Sequence, residues 1–183
     1  MLPGEKRSGI PLSKTKLTLL LLGATAFVVV GLCLLCKHLY AAASTGFGSV
    51  LLTIVGVAAV IFFGACAGFY ARKLLDNKPG IVFDERGLFD NSSFVAAGQI
   101  LWADIETVSV LQLHRQKFVV LQVRNPQQYI DRQASAFKRK VMTLNHKLYG
   151  TPLHISANGL QVSFDQLFVL ITNNLQRNQR QWQ

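Results

Sequence analysis

The sequence contains few charged residues for its length. Only 15% of its 183 residues are Asp, Glu, Lys or Arg, whereas a typical soluble domain carries about 25%. Half of the residues are hydrophobic, which excludes an intrinsically disordered chain. The few charges are also absent from two long stretches of the chain. This uneven distribution indicates a membrane segment.

Cysteine is scarce as well. Cys33, Cys36 and Cys66 all lie inside apolar stretches, and three cysteines in such positions exclude a disulfide scaffold. A redox role for Cys33 and Cys36 would require a neighbouring strand–helix–strand pattern. An apolar run occupies that place, so the sequence favours reduced thiols.

Catalytic motifs are missing. The four histidines show no His-Glu-x-x-His spacing, and the chain has no Gly-x-Ser-x-Gly turn and no phosphate-binding glycine loop. Ser13-x-x-Lys16 and Ser135-x-x-Lys138 match one element of a serine acylase, but the companion elements are absent. We expect no catalytic residue, metal site or cofactor, with an enzyme of unrecognised site as an alternative.

Two uncharged runs predict membrane-spanning helices. Residues 17–36 and 47–71 are apolar, and each reaches the roughly 20 residues that a helix needs to cross a bilayer. Lys and Arg flank the pair: residues 1–16 carry a net charge of +3 and residues 72–78 a net charge of +2. Because basic flanks stay cytoplasmic, we expect a hairpin with both termini cytoplasmic, in a bacterial inner membrane. A cleaved signal peptide ending near Ala43 is the alternative.

Gly64 and Gly68 have the spacing that lets two helices approach closely within a membrane. We expect this pair to pack against the first span of the same chain. Homodimerisation through the same pair is the alternative interpretation.

The remainder of the chain predicts a small α+β domain. Turn residues separate short strands, residues 105–113 and 117–124 form a hairpin, and residues 126–149 form a long inserted helix. Ser163 and Gln166 have capping-box spacing and begin a closing amphipathic helix. The predicted segments are a basic tail (1–16), the first span (17–36), a short periplasmic loop (37–46), the second span (47–71), a basic linker (72–79), the cytoplasmic domain (80–178) and a tail (179–183).

The sequence resembles a family of small bacterial inner-membrane proteins that have two spans and a pleckstrin-homology-like (PH-like) domain. The resemblance rests on PLSKTKL, KPGIVFDERGLFDNSS, ILWADI, NPQQYI and LNHKLYGTPLHISANGLQVSF. It implies an α+β membrane protein whose cytoplasmic domain is a PH-like antiparallel sheet or barrel, with an inserted helix and a C-terminal capping helix. It implies no activity and no site residue.

The inserted helix carries the candidate binding residues. On one continuous helix, Phe137, Val141, Leu144 and Leu148 form an apolar stripe that should face the core. The opposite face then presents basic residues to solvent, namely Arg132, Arg139, Lys140 and Lys147. Such a face is typical of helices that bind anionic lipids or acidic partners.

The sequence therefore predicts a non-enzymatic binding or scaffold protein of the inner membrane. Its partners are the bilayer and either an anionic phospholipid, a partner protein or a second copy. Nucleic acid is not expected, because Phe137 should face the core and no aromatic run accompanies the basic residues. The alternative is an immunity-type or regulatory protein that inhibits a toxin or membrane enzyme.

Overall fold

The computed structural model describes residues 8–40 and 47–181, which form two compact units. One unit is the segment Lys14–Asn77, and the other combines residues 1–13 with Lys78–Gln183. The first unit is thus inserted into the sequence of the second.

The inserted unit is a pair of long apolar helices, α1 (Lys14–Tyr40) and α2 (Phe47–Leu75). Both are long and apolar enough to cross a membrane. Their apolar side chains are largely exposed, as in Leu19 (65%) and Ile61 (68%), whereas a core helix of a soluble protein would bury such residues. The helices extend beyond the predicted spans 17–36 and 47–71, and residues 41–46 of the predicted loop lie outside the described residues.

The two helices approach closely at Gly31 and Gly56. A Cβ at Gly31 would lie 3.0 Å from Cγ2 of Val60, and one at Gly56 would lie 3.2 Å from the carbonyl oxygen of Gly31. Near the same contact, Phe27 and Phe63 stack with ring centroids 4.4 Å apart. A Cβ at Gly64 or Gly68 would meet no described atom outside its own helix within 4 Å. The predicted packing of Gly64 and Gly68 on the first span is therefore not formed. The close contact between α1 and α2 lies at Gly31 and Gly56 instead.

The second unit is an α+β domain. Its first sheet has the order β1 (Ser8–Ile10), β2 (Ile81–Phe83), β3 (Gly87–Asp90) and β4 (Gly98–Leu101), and its second sheet has the order β5 (Ile105–Leu113), β6 (Gln116–Val123) and β7 (Leu153–Ser156). Every described strand pair is antiparallel. The α+β prediction is confirmed, but the described strands form two open sheets rather than a closed barrel.

Strand β1 belongs to the segment predicted as a basic tail. Ile10 pairs with Ile81, and the chain continues through a bridge between Leu12 and Leu160 to a hydrogen bond from the Ser13 amide to the Gly159 carbonyl (2.8 Å). Ile10, Leu12, Ile81 and Leu160 are all buried. The alternation of Ile10 and Leu12 is too short to stand out from sequence, and its partners are distant in the chain. The turn and short strand that the sequence suggests at residues 158–162 give an isolated bridge at Leu160 rather than a strand.

Three helices complete the domain: α3 (Pro126–Asp131), α4 (Ala136–Tyr149) and α5 (Phe164–Gln181). The predicted capping box of α5 is confirmed, since the Gln166 amide donates to Oγ of Ser163 (3.2 Å) and the Ser163 amide donates to Oε1 of Gln166 (2.9 Å). The apolar face expected to be buried on α5 comprises Phe164, Leu167, Phe168, Ile171 and Leu175. Leu167, Ile171 and Leu175 are buried, whereas Phe164 and Phe168 are half-buried. Helix α5 continues to Gln181, beyond the tail boundary predicted at residue 179.

Candidate functional site

The helix predicted to run from residue 126 to residue 149 is two helices in the structure. Helix α3 ends at Asp131, and α4 begins after Ser135, whose side chain accepts a hydrogen bond from the Lys138 amide (3.4 Å). Helix α4 ends at Tyr149 and is capped by Gly150, which has a φ of 77°. The sequence predicts Arg132 and the α4 residues on one continuous helix. Because residues 132–135 interrupt that helix, Arg132 does not share a helix face with Arg139, Lys140 and Lys147.

The apolar stripe of α4 faces outward, contrary to the sequence-based expectation. Phe137 is 62% exposed, Leu144 54% and Leu148 62%, while Val141 is half-buried. The inward face instead contains Met142, which is fully buried, and Tyr149, whose ring lies edge-on to that of His154 at 5.3 Å. Hydrophobic periodicity identifies an apolar face but does not show whether the protein itself covers that face. We call the four outward residues, Phe137, Val141, Leu144 and Leu148, the α4 strip.

Two of the four predicted basic residues are engaged inside the domain. Arg132 donates hydrogen bonds to the carbonyl oxygens of Ala97 (2.9 Å) and Gln99, and its guanidinium lies 4.2 Å from the centre of the Tyr129 ring. Arg139 donates to the carbonyl oxygens of Gln133 (2.6 Å) and Ala134 (3.2 Å). These arginines satisfy backbone groups in the break between α3 and α4 and beside β4, so the structure gives them a structural role.

Lys140 and Lys147 remain exposed and border the α4 strip. A groove of about 460 Å³ runs along this helix face, and its lining is Phe137, Lys140, Val141, Thr143, Leu144 and Lys147. Helix α4 contains no Asp or Glu. The outward face is thus an apolar surface with cationic side chains beside it, and the aliphatic stems of the lysines help to line it.

Phe94 extends this surface and was not singled out from the sequence. Its ring lies 5.7 Å from that of Phe137 at 71°, and it is 49% exposed. Phe94 follows a cluster of polar turn residues, Asn91, Ser92 and Ser93. An aromatic residue directly after such a turn was the available sequence signal, because connecting segments run over the protein surface.

A buried carboxylate shapes the loop that presents Phe94. Asp90 accepts hydrogen bonds from the Ser92 amide (2.9 Å), the Ser92 hydroxyl (2.6 Å) and the Ala97 amide (3.3 Å). Burial raises the pKa of the Asp90 carboxyl above its usual value. These three bonds tie both ends of the loop to one side chain, so the position of Phe94 depends on Asp90.

Comparison of the chain with models of known protein families, with curated proteins and with solved structures gives no match. The resemblance to PH-like inner-membrane proteins therefore stays a prediction. Within residues 8–40 and 47–181, no three His, Cys, Asp or Glu side chains are grouped so as to hold a metal ion.

Proposed function

We propose that this protein is a membrane-anchored, non-catalytic binding protein whose α+β domain docks on an anionic membrane surface through α4. The observation that carries the proposal is the outward-facing α4 strip with Lys140 and Lys147 beside it. Amphipathic helices that lie in a membrane interface have this arrangement, with large apolar side chains on one face and lysines flanking them.

The direct contacts with lipid headgroups come from two lysines rather than four basic residues. A Lys near an anionic surface contributes about 1 kcal/mol, so Lys140 and Lys147 together contribute about 2 kcal/mol. Arg132 and Arg139 keep their positive charge, but their guanidinium groups are held by backbone carbonyls and donate there rather than to headgroups. The apolar side chains supply the rest, at about 25 cal/mol for each Å² removed from water.

The two apolar helices make the membrane the favoured occupant of this surface. Ser13 hydrogen-bonds within the domain, and α1 begins at the next residue, Lys14. A domain tethered so closely to spanning helices meets the bilayer at a high effective concentration, so modest affinity is sufficient. A soluble protein partner has no such advantage. The absence of acidic residues from α4 suits anionic headgroups as well as it would suit an acidic protein.

Strand β1 supports the proposed topology. Because β1 precedes α1 and pairs with β2, which follows α2, the two flanks of the hairpin belong to one sheet. If both helices cross the bilayer, the domain and both flanks lie on one side. The basic flanks favour the cytoplasmic side of an inner membrane.

The test uses the full chain in lipid vesicles. With Cys33, Cys36 and Cys66 replaced by Ala, a fluorophore is attached to Leu144→Cys, or to Gln127→Cys on α3 as the matched control. We expect lipid-attached quenchers to quench the probe at residue 144 in vesicles that contain anionic lipid, and to leave the probe at residue 127 bright. Lys140→Glu with Lys147→Glu should reverse the quenching at residue 144, whereas the control Arg180→Glu on α5 should not.

Two results would overturn the proposal. One is equal quenching at residues 144 and 127 in every lipid mixture. The other is protection of residue 144 from a water-soluble quencher in native membranes but not in purified vesicles, which would assign the surface to a protein partner.

A further inference from the structure

Strand β5 is the outer strand of the three-stranded sheet. It pairs with β6 on one side, and in the described part of the chain no strand pairs with its other side. Its nine residues form a regular ladder with β6 from Thr107 to Leu113, with one irregularity between Ile105 and Thr107. Half of the backbone amide and carbonyl groups of such an edge point away from the sheet and can pair with another strand.

From Thr107 to Leu113 the exposed edge lacks the features that normally prevent pairing. Natural edge strands are usually short, or carry charged residues, Pro or a β-bulge, or are covered by another element. In β5 the irregularity and the charged Glu106 both lie at the first end of the strand. Strand β5 contains no Lys, Arg or Pro, and Glu106 is its only charged residue. Val110 is 47% exposed and Leu113 is 38% exposed, so apolar area lies on the strand as well.

The geometry points to a second copy of this chain as the occupant: we propose that β5 pairs edge to edge, antiparallel, with β5 of another molecule. A two-fold axis makes one edge complementary to itself, without a second specialised surface. The two three-stranded sheets then join into one sheet of six strands.

The charges at the two ends of the strand favour the antiparallel arrangement. Glu106 lies near one end of β5, where its exposed carboxylate is 3.9 Å from Nε of Arg124, and Arg115 lies in the turn that follows the other end. Antiparallel pairing brings Arg115 of each copy toward Glu106 of the other, whereas parallel pairing would place like charges side by side. Tethered helices confine all copies to one surface, which raises the local concentration of partners.

This inference is independent of lipid binding by α4, and site-directed crosslinking tests it. In the full chain without native cysteines, single cysteines are placed at exposed positions of β5, namely Thr107, Ser109, Val110 and Gln112. The control is Gln127→Cys on α3. After mild oxidation in vesicles, the disulfide-linked dimer should be several-fold more abundant for the β5 cysteines, with a maximum inside the strand where the axis passes. A yield no higher than that of Gln127→Cys at every position would overturn the proposal.

A second pair of variants separates strand pairing from pairing of the helices. Val110→Lys should reduce the crosslinking of Ser109→Cys several-fold, because each copy then carries a lysine on the paired edge close to the axis. If Gly64→Leu abolishes this crosslink and Val110→Lys leaves it unchanged, then α2 brings the copies together and the proposal is wrong. Lys140→Glu with Lys147→Glu should not change the yield, so failure of lipid docking and failure of strand pairing give different results.

Discussion

The hydroxyl of Tyr129 donates a hydrogen bond of 2.5 Å to Oδ2 of Asp104, and this bond joins α3 to the short 3-10 helix Trp102–Asp104 between the two sheets. The Tyr129 side chain is almost fully buried, and its hydroxyl also accepts a hydrogen bond from the Leu101 amide (3.4 Å). Burial and the bond to Asp104 raise the pKa of Tyr129 to about 12. The phenol therefore stays protonated and acts as a donor throughout the physiological range.

Tyr129→Phe should destabilise the domain by about 1–3 kcal/mol, because Asp104 loses a donor in a partly buried place. Unfolding can be followed by the fluorescence of Trp102, which is buried and stacked on Phe83, once Trp182 is replaced by Phe. The control is Tyr149→Phe, which keeps the ring beside His154. Equal unfolding midpoints for the two variants would contradict the prediction.

The basic residues of the α3–α4 region should separate into two groups. Arg139→Gln should lower the free energy of unfolding by about 1–3 kcal/mol, because the Gln133 and Ala134 carbonyls lose their donor. Lys147→Gln should change that free energy by no more than about 0.5 kcal/mol. It should instead weaken the lipid quenching at residue 144. Identical behaviour of the two variants in both assays would contradict the assignment.

Residues 8–13 should behave as part of the domain core. Ile10→Ala should destabilise the domain by about 2–5 kcal/mol, because Ile10 is only 4% exposed and pairs with the fully buried Ile81. Ser8→Ala on the same strand, at an exposed position, is the control and should have little effect. Trp102 fluorescence measures both, and an unchanged midpoint for Ile10→Ala would show that β1 is dispensable.

The helix contact should depend on Gly56 and not on Gly64. Gly56→Leu places a large side chain against Leu35 and the Gly31 backbone and should destabilise the helical hairpin by roughly 1–3 kcal/mol. Gly64→Leu enters open space and should leave the stability of a monomer in detergent unchanged. Heating followed by size-exclusion chromatography reports the loss of folded protein, and equal losses would argue against the contact described.

Acidification should destabilise the domain through His154. Burial lowers the pKa of His154 below its usual 6.5. The unfolded chain then takes up a proton at a pH where the folded protein does not, so stability present above pH 6.5 is lost as the pH falls toward the folded pKa. Unfolding midpoints between pH 7 and pH 5 measure this loss, and His154→Phe should reduce the slope.

Asp90 acts in the opposite direction. Burial raises the pKa of Asp90, so the folded state gains protons before the unfolded state, and stability rises as the pH falls through the raised pKa toward 3.8. Asp90 contributes equally to the parent chain and to His154→Phe, so subtracting one pH profile from the other removes its contribution. A parallel pH profile for the two proteins would contradict the role of His154.

Local patterns predicted much of the fold. The β5–β6 hairpin, the Pro126 helix start, the capping box at Ser163 and the two apolar helices all depend on residues close in sequence, and all of them form. The pairing of β1 with β2 was missed because the two strands are separated in the sequence by the whole helical hairpin. Short strands carry too few residues for a period of two to be recognised.

The sequence predicted most of the residues that make up the candidate site, but it predicted the wrong orientation for the apolar face of the helix. The sequence located an amphipathic helix with Lys140 and Lys147, but it assigned the α4 strip to the core. Only the tertiary structure shows that Met142 fills the core and that the carbonyls of Ala97 and Gln133 take up Arg132 and Arg139. No local signal distinguishes an arginine that binds backbone carbonyls from one that faces solvent.

The insertion of the helical hairpin between β1 and β2 orders events during synthesis. Ile10 leaves the ribosome before α1, and its partner Ile81 leaves after α2. The four-stranded sheet can therefore be completed only after both helices have been made. If both helices cross a membrane, as we propose, completion of the sheet also requires α2 to insert. A chain in which only α1 inserted would hold β1 apart from β2 and keep Ile81 exposed.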